Sequence, residues 1–427
     1  MVKLKLRKIL QFALKHLAGA IINKYKPTVI GITGSAGKSS TKEAVYAIFK
    51  NKNSRANRGN FNNEIGFPLT IIGDYAKVGG FLFWLKVLWF GLVQVLFRRS
   101  YPEFLILEYG ADRPKDIDYL LDIAKPRVSV ITAMGKVPVH VEFYHDPAEV
   151  IKEKAKLISV LSPEDSVVLN IDDQDVFSMA ELTKAKIFTF GFDEKANMRI
   201  SGFDNHLEKG RPAGVAFNLN FREEVFPVRI DGVFGRAAAY ASAAAAAVGL
   251  SLGLDFGSVC DALSDYQPLA GRLRLIAGIK ETWLIDDSYN SSPLSMEEAL
   301  NTLQKVPAKR KIAALGDMAE LGQYTIASHE EAGRQARKSC DFLVTVGAKA
   351  KFIAEGAKMN NFPADRILSF DSSEEAGLEI QKMIRPGDLI LIKGSQAVRM
   401  EKIVLELMAE PKKAGELLAR QYGKWLR

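Results

Sequence analysis

At 427 residues the chain is long enough for two or three domains, each able to bury its own core. Its 48% hydrophobic and 25% charged residues are typical of a globular protein. The two cysteines, Cys260 and Cys340, lack the spacing of a disulfide framework or a zinc site, which fits a reducing compartment. No small-residue cleavage site follows an apolar run near the N-terminus, so we expect no secretory signal and a cytoplasmic protein.

The net charge of +8 is concentrated at the N-terminus. Residues 1–26 hold seven basic residues and no acidic one, whereas the rest of the chain has 51 basic and 50 acidic residues. Nucleic acid is therefore not predicted as a partner, because no basic face extends over the protein. Apolar residues at helical spacing predict an amphipathic helix over 1–27. Such a helix suits either an anionic membrane surface or packing on its own protein.

From residue 28 onward, short apolar runs alternate with amphipathic stretches, which predicts an α/β fold with a largely parallel sheet. A break around 266–271 separates two such series and predicts domains over 28–268 and 269–427. The alanine-rich run 237–248 predicts a tightly packed helix. The predicted strands are 28–32, 104–108, 128–132, 167–170 and 186–190 in the first series, and 282–286, 311–315, 342–346, 366–370 and 388–392 in the second.

The strongest local motif is residues 31–41, with the sequence Gly-Ile-Thr-Gly-Ser-Ala-Gly-Lys-Ser-Ser-Thr. It follows an apolar strand and opens an amphipathic helix, so its N–H groups can surround phosphate oxygens at a helix N-terminus. Lys38 would neutralise the β- and γ-phosphates, and Ser39 would offer its hydroxyl to Mg²⁺. The strict Walker spacing has glycine where this chain has Ile32. The predicted phosphate site comprises Gly34, Ser35, Ala36, Gly37, Lys38, Ser39 and Ser40.

Residues 81–97 form an almost wholly apolar segment that is followed by two arginines. Its length makes it a borderline candidate for a membrane span. A span would put the phosphate loop and the acidic strand end Glu108 on opposite sides of the bilayer, so they could not serve one site. Lys86, Gln94 and Arg98 recur at multiples of four, which predicts a narrow polar stripe on a helix. We expect an interfacial or protein-covered helix and a peripheral contact with the inner face of a membrane.

The spacing Gly-x-Thr-Gly-Ser-x-Gly-Lys-Ser at 31–39 resembles the phosphate loop of the Mur ligase family. Further stretches, in the family's order, resemble the branch that adds D-alanyl-D-alanine. They are 60–70, 107–111, 285–290 with Pro293 and 295–296, 315–322 with His329, and 393–395 with 400–401. As a set these stretches are specific, although each alone is a weak signal.

The resemblance implies a P-loop-type parallel-sheet ATPase domain over 28–268 and a Rossmann-like domain over 269–427, with ATP and Mg²⁺ between them. It implies an ATP-dependent ligase that joins a carboxylate to an amine through an acyl phosphate. In the resembling branch, D-alanyl-D-alanine is added to a muramyl tripeptide during peptidoglycan synthesis. The implied partners are therefore a muramyl-peptide-like acceptor and a D-alanyl-D-alanine-like amine.

The resemblance also implies a metal site. Glu108 matches the family's magnesium-ligating glutamate, and His140 matches its metal-ligating histidine. The stretch around His140 is two residues longer than in the family, and His145 is an alternative. Lys154 matches the lysine that the family carries as a carbamate, with two alternatives on the same predicted helix, Lys152 and Lys156.

The remaining implied roles fall on the second half of the chain and on the stretch 60–70. Arg272 resembles the hinge arginine that reaches the γ-phosphate when the domains close. Asp286 resembles the residue that meets the ribose of ATP, and Asp287 is its alternative. The substrate-binding residues implied for acceptor and amine are Asn62, Asn63, Asn290, Lys393 and Ser395.

The chain departs from the family in two places. Near the adenine the family has a His-Asn pair and a later Asn, where this chain has Ala237, Ala238 and Ala241. The side-chain hydrogen bonds to the base would then be lost. Only 27 residues precede the first predicted strand, too few for the family's own UDP-binding domain. These departures keep two alternatives open: a ligase for another acceptor, lipid-linked or polymeric, and a non-catalytic membrane-associated scaffold.

Overall fold

A computed structural model describes residues 2–59, 61–75, 77–208 and 211–421. Asn60, the first residue of the stretch 60–70, and the side chains of Lys3 and Lys5 lie outside the described part. The strands fall into two sheets of nine and six strands. The division into segments 1–27, 28–268 and 269–427 remains a prediction.

The first sheet is largely parallel and has the order β2-β3-β1-β4-β5-β6-β7-β8-β9. The strands from β2 to β7 in this order are parallel neighbours, whereas β8 and β9 pair antiparallel. The strands are β1 (Thr28–Thr33), β2 (Ser54–Ala56), β3 (Phe104–Glu108), β4 (Val128–Ile131), β5 (Ser166–Asn170), β6 (Lys186–Gly191), β7 (Met198–Glu208), β8 (Arg211–Phe221) and β9 (Glu224–Asp231).

Helices cover both faces of the first sheet, because successive strand residues point to opposite faces and both sets are apolar. Ile30 and Ile32 pack with α2, α8 and α9, whereas Val29 packs with the helices on the other face. The helices are α1 (Val2–Tyr25), α2 (Lys38–Phe49), α3 (Gly66–Ile72), α4 (Phe81–Leu96), α5 (Asp116–Leu121), α6 (Pro147–Ser159), α7 (Gln174–Ser178), α8 (Arg236–Ser251) and α9 (Phe256–Leu263).

The alanine-rich helix α8 packs directly on α2, the helix that follows the phosphate loop. Its alanines from Ala243 to Ala247 are fully or almost fully buried. Methyl side chains let the two helix backbones approach closely, so the contact is tight. The prediction of a packed helix in this region is confirmed.

The second sheet has the order β10-β11-β15-β12-β13-β14, and only its edge strand β10 runs antiparallel within the described chain. Its strands are β10 (Arg274–Gly278), β11 (Thr282–Asp287), β12 (Arg310–Gly316), β13 (Phe342–Val346), β14 (Ile367–Phe370) and β15 (Asp388–Lys393). Its helices are α10 (Pro293–Lys305), α11 (Thr325–Ser339), α12 (Lys351–Met359), α13 (Ser373–Met383), α14 (Glu401–Leu407) and α15 (Ala414–Leu417). The α/β fold class is confirmed.

The apolar segment forms α4, which packs on α1 and α3. Among the described residues, no helix is both long enough and apolar enough to cross a bilayer. The predicted polar stripe is wrong, because Gln94 is buried and its Nε2 donates to the Ile72 carbonyl at 2.6 Å. That carbonyl belongs to the last turn of α3, where carbonyls lack helical partners. The side of α4 that faces away from the protein is apolar apart from the exposed Lys86.

Candidate functional site

The phosphate loop connects β1 to α2, and its glycines adopt conformations that other residues rarely take. Gly34 has φ 142°, and a Cβ there would meet the Thr132 Oγ1 at 2.1 Å. Gly37, at the N-cap of α2, has φ 83°. Thr132 holds the loop, because its hydroxyl donates to the Ala36 carbonyl at 2.5 Å. Glycine is therefore required where the loop touches the end of β4.

Two predicted phosphate ligands in the loop already have partners. The N–H groups of Ser35 and Ala36 donate to the Ala133 carbonyl at 2.6 and 3.2 Å. The first turn of α2 has no side-chain cap in the described chain. Its N–H groups, from Gly37 through Ser39, therefore remain as donors for phosphate oxygens at the positive end of the helix.

Lys38 projects back over this loop. Its Nζ donates to the Gly34 carbonyl at 2.9 Å. Burial lowers the pKa of Lys38, whereas the neighbouring Glu108 carboxylate acts to raise it. A half-buried ammonium that donates to a backbone carbonyl gains from a neighbouring anion, so the position suits a phosphate group.

Glu108 ends β3 beside the loop and is buried among polar partners. Its Oε2 accepts from the Ser39 hydroxyl at 3.1 Å, and its Oε1 accepts from the Asn62 amide at 3.0 Å. Its backbone N–H donates to the Asn57 Oδ1 at 3.0 Å. The structure thus brings Lys38, Ser39, Glu108 and Asn62 together. Asn63 instead accepts from backbone N–H groups at the start of α3.

The structure distinguishes the three lysines of α6. Lys152 is exposed, and Lys156 pairs with Asp118 and Glu153 at 2.6 Å. Lys154 is fully buried, and its Nζ has no hydrogen-bond partner within the described chain. Burial and the neighbouring Lys38 ammonium lower the pKa of Lys154 to about 7. The neutral amine, which is the form that reacts with CO₂, is thus accessible at Lys154 near pH 7.

His140 contacts carboxylates from both halves of the molecule. Its Nε2 lies 3.2 Å from Asp112 Oδ1, and its Nδ1 lies 2.5 Å from Glu320 Oε2. The His140 contact lowers the pKa of Glu320. His145 is exposed and contacts its neighbour Asp146. The metal-ligand role of His140 stays a prediction, since both ring nitrogens face carboxylates.

A cavity of about 1010 Å³ separates the phosphate loop from the second sheet. Its volume is sufficient for a nucleotide together with a small substrate. On the loop side it is lined by 35–37 and 39–41, and on the other side by residues of α10 and α11. It lies beyond the carboxyl end of β1, where α/β sheets bind ligands.

Arg272 lines the cavity in the connection between the two sheets. Its guanidinium carbon lies 4.4 Å from the centre of the Tyr289 ring, and the preceding Gly271 has φ 68°. A Cβ at Gly271 would approach the Tyr289 N–H nitrogen to 3.0 Å. The close approach of the chain at 271 to Tyr289 therefore requires glycine. It places the Arg272 guanidinium against the Tyr289 ring.

The aspartates at the end of β11 occupy different positions. Asp287 lines the cavity, whereas Asp286 is fully buried and its Oδ2 has no hydrogen-bond partner in the described chain. Burial raises the pKa of Asp286 to about 6. Asp287 is thus the one on the cavity wall, although its carboxylate is nearly buried, and the ribose role of Asp286 or Asp287 stays a prediction.

Lys393 and Asp287 form a buried ion pair of 2.5 Å across β15 and β11. Lys393 Nζ also donates to the Asn290 carbonyl at 3.1 Å. Burial lowers the pKa of Lys393 and Asp287 opposes that effect. The Ser395 hydroxyl is buried without a partner among the described residues. Asn290 lines the cavity, so Lys393 positions a residue of its wall.

Lys393→Met is expected to lower the free energy of unfolding by about 3–5 kcal/mol, because it leaves the Asp287 carboxylate buried and unpaired. Urea unfolding measures the loss. The double variant Lys393→Met/Asp287→Asn should recover most of it, since no uncompensated charge remains. A loss below about 1 kcal/mol for the single variant, as at an exposed ion pair, would contradict this interpretation.

The three alanines opposite the expected adenine line the cavity on α8. Tyr240 lines the same wall, and its hydroxyl donates to Asp172 Oδ2 at 2.8 Å. Burial raises the pKa of Tyr240, so the phenol stays neutral. Asn170 completes this polar part of the wall. Polar groups for a base are therefore present, although not at the family's positions.

The cluster fits Mg²⁺. Mg²⁺ takes one or two carboxylates, keeps several waters and shares phosphate oxygens of its substrate. The Ser39 hydroxyl and the Glu108 carboxylate supply donors of this kind. In the described part of the chain, no group of three or more His, Cys, Asp or Glu side chains could hold a metal alone. The residues thus suit an ion shared between protein and nucleotide.

Comparisons with known proteins agree with this geometry. The Mur ligase middle domain matches residues 90–249, and the Mur ligase, glutamate ligase domain matches residues 271–396. UDP-N-acetylmuramoyl-tripeptide--D-alanyl-D-alanine ligase of Mycobacterium bovis is 30% identical over 404 residues, covering 90% of this chain and 73% of its own length. The enzyme of that name from Bacillus subtilis is 29% identical over 402 residues, covering 93% and 80%.

The crystal structure of MurF ligase from Thermotoga maritima in complex with ADP superposes with a TM-score of 0.76 and 25% identity, covering 94% of this chain and 84% of that one. The chain belongs to the Mur ligase family. It is an ATP-dependent ligase that forms amide bonds and uses ATP with Mg²⁺. The predicted enzyme class and cofactors are confirmed.

Sequence reasoning missed three residues that shape this site. Asp112 and Glu320 hold His140, and Asn57 holds the backbone of Glu108. Glu320 lies in the stretch 315–322, and its φ of 60° marks a strained turn. His329 holds that turn, because its Nε2 accepts from the Met318 N–H at 3.0 Å. His140 follows a strand of the first sheet and Glu320 follows a strand of the second. Motifs that are local in sequence therefore cannot predict that the two residues pair.

Proposed function

We propose that this ligase adds a D-alanyl-D-alanine-like dipeptide to the free carboxylate of a muramyl-peptide-like acceptor. One observation carries the proposal: Lys38, Ser39, Glu108 and Asn62 meet in one cluster beside the cleft between the two sheets. The relatives from M. bovis and B. subtilis carry the name of this reaction.

In the first step an acceptor carboxylate oxygen attacks the γ-phosphorus of ATP. The bond from that phosphorus to the bridging oxygen breaks, ADP leaves, and an acyl phosphate forms. The N–H groups at the start of α2 hold the phosphates, and Lys38 balances the charge on the transferring group. Arg272, on the cavity wall in the connection between the two sheets, would meet the same group. Asn62 would position the acceptor beside Glu108.

In the second step the amine nitrogen attacks the acyl carbon and gives a tetrahedral intermediate. The bond to the phosphate oxygen breaks, phosphate leaves, the nitrogen loses a proton, and the amide remains. Asn290 at the cavity wall, with Lys393 and Ser395 behind it, would hold the amine. Ser39, Glu108 and Lys154, the latter as a carbamate, would hold Mg²⁺, with His140 as a further ligand. The ion supplies Lewis-acid neutralisation of the phosphoryl oxygens when bound.

The reaction is tested by incubating the protein with ATP, Mg²⁺, a UDP-linked muramyl tripeptide and D-alanyl-D-alanine. We expect phosphate release that depends on both substrates, and a product whose mass equals their sum less water. L-Alanyl-L-alanine serves as the matched control amine and should give little release. Release with a different amine or acceptor only would support the alternative ligase. Calorimetry that detects no ATP binding would overturn the enzymatic proposal.

We also propose a peripheral contact with the inner face of a membrane. Its support is the apolar outer side of α4 and the seven basic residues of 1–26. A helix of this kind lies in the interface between headgroups and acyl chains and does not span the bilayer.

A further inference from the structure

The outer side of α4 is a continuous apolar stripe. Its members are spaced three or four residues apart, which places them on one side of a helix. Trp89 is 68% exposed and Leu82 is 79% exposed. The opposite side of α4 packs on the protein through buried Val87 and Gly91. The members of the stripe are Leu82, Leu85, Trp89, Leu92 and Leu96.

Helix α1 extends this stripe into a wider surface. Its outward residues Leu6, Ile9 and Phe12 are each at least 60% exposed. The two helices pack closely, since a Cβ at Gly91 would meet Leu17 Cδ1 at 3.2 Å. Lys24 Nζ donates to carbonyls at the end of α4 at 2.9 and 3.0 Å. Exposed apolar residues concentrated on two neighbouring helices mark an interaction site.

Basic side chains surround the surface. Lys8, Lys86, Arg98 and Arg99 are exposed, and none has an acidic partner within ion-pair distance among the residues described. No acidic residue occurs in α1 or α4. In a two-fold contact between two copies the same patch would face itself and bring these charges together. Anionic lipid headgroups supply the missing counter-charge, and Trp89 suits the headgroup level.

We propose that α1 and α4 together form a docking surface for an anionic phospholipid bilayer, and that the acceptor is a muramyl peptide carried on a lipid anchor in that bilayer. The second part rests on the proposed ligase function. It names the physical form in which the acceptor reaches the site.

The same helix connects this surface to the acceptor side of the active site. Arg7 Nη2 and Gln11 Nε2 both donate to Glu64 Oε1, at 2.7 and 2.9 Å. Glu64 lies two residues after Asn62, whose amide donates to Glu108 at 3.0 Å. On α1, Arg7 lies between the outward residues Leu6 and Ile9. A bilayer in contact with α1 therefore lies beside the loop that would hold the acceptor, within reach of a lipid-anchored sugar.

Flotation of the full-length protein with vesicles tests the docking surface. We expect the protein to bind vesicles of phosphatidylcholine mixed with phosphatidylglycerol. On vesicles of pure phosphatidylcholine, the partition coefficient should fall about fivefold for each basic residue that contacts the headgroups. Leu85→Glu/Trp89→Glu should lower the partition coefficient at least about tenfold, because two apolar side chains no longer enter the bilayer. Leu378→Glu/Met359→Glu is the matched control, since these residues have similar exposure on α13 and α12. It should bind as the wild type.

Two outcomes would overturn the docking proposal. One is equal flotation of the Leu85/Trp89 variant and the wild type. The other is a wild type that stays off both vesicle types. If in that case the wild type is a dimer and the variant a monomer by light scattering, the occupant of the surface is a second copy. Retained phosphate release on a UDP-linked acceptor shows that the variant is folded.

The acceptor class is tested by comparing phosphate release on two acceptors. One is a muramyl tripeptide on a prenyl pyrophosphate anchor in phosphatidylglycerol-containing vesicles, and the other is the UDP-linked tripeptide in solution. The wild type should act on the vesicle-bound acceptor, and Leu85→Glu/Trp89→Glu should lose at least about tenfold of that rate while keeping its rate in solution. Activity in solution alone would overturn the lipid-linked acceptor. Absence of activity on both would count against the proposed function itself.

Discussion

Lys38→Ala is expected to lower kcat/KM for ATP-dependent amide formation by about 10²–10³-fold, the usual effect of removing one group that stabilises transition-state charge. Lys38 is the half-buried lysine of the phosphate loop, and its Nζ donates to the Gly34 carbonyl at 2.9 Å. The substitution removes the ammonium that would neutralise the negative charge of the transferring phosphoryl group. Phosphate release measured over a range of ATP concentrations separates the effect on kcat from that on KM.

The matched control for this substitution is Lys50→Ala. Lys50 follows the same helix α2 at its far end and pairs with the exposed Asp265 at 2.6 Å. An exposed pair of this kind contributes at most about 1 kcal/mol, so activity and stability should change little. A Lys38→Ala protein that ligates at a near-normal rate would remove the phosphate loop from the mechanism.

Lys154→Met should lower the rate of ligation by about a hundredfold or more, provided that the lysine acts as a carbamate at the metal site. Carbamate formation joins the neutral amine nitrogen to the carbon of CO₂ and releases one proton. With a pKa of about 7, the neutral fraction of Lys154 rises as pH increases through 7. The carbamate signal from ¹³C-labelled bicarbonate, followed by NMR, should rise over the same range.

Lys152→Met on the exposed side of α6 provides the comparison, because it removes a lysine of the same helix that is in contact with solvent. It should retain both activity and the ¹³C signal. Loss of the signal in Lys152→Met and its retention in Lys154→Met would reverse the assignment. Small carboxylates added to a Lys154→Ala protein should restore part of the rate, since the truncation opens a space at this buried position that they can occupy.

Local sequence predicts the parallel parts of both sheets well, because buried parallel strands are short apolar runs. The strands around Ile30, Val130 and Leu391 fall where the pattern places them. The antiparallel strands β7, β8 and β9 were not predicted, since their polar and apolar residues alternate and they lack the continuous apolar run of the buried parallel strands. The edge strand β10, with the sequence Arg-Leu-Ile-Ala-Gly, was also missed.

The candidate site was predictable where motif residues are neighbours in sequence and less so where they meet only in space. The phosphate loop around Lys38 follows from strand, glycines and helix in one stretch. The choice of Lys154 among three lysines depends on burial, which the sequence of α6 does not give. The orientation of Gln94 depends on an unpaired carbonyl of α3. Interactions of this kind are decided by tertiary packing.

The alanine contact between α8 and α2 has a mechanical consequence. Because the methyl groups of α8 pack closely on α2, any sliding or tilting of α2 would have to break this helix–helix contact. We therefore expect Lys38 and the first N–H groups of α2 to form the side of the cleft that stays fixed. We therefore expect the cleft to open for product release by movement of the side that carries Arg272.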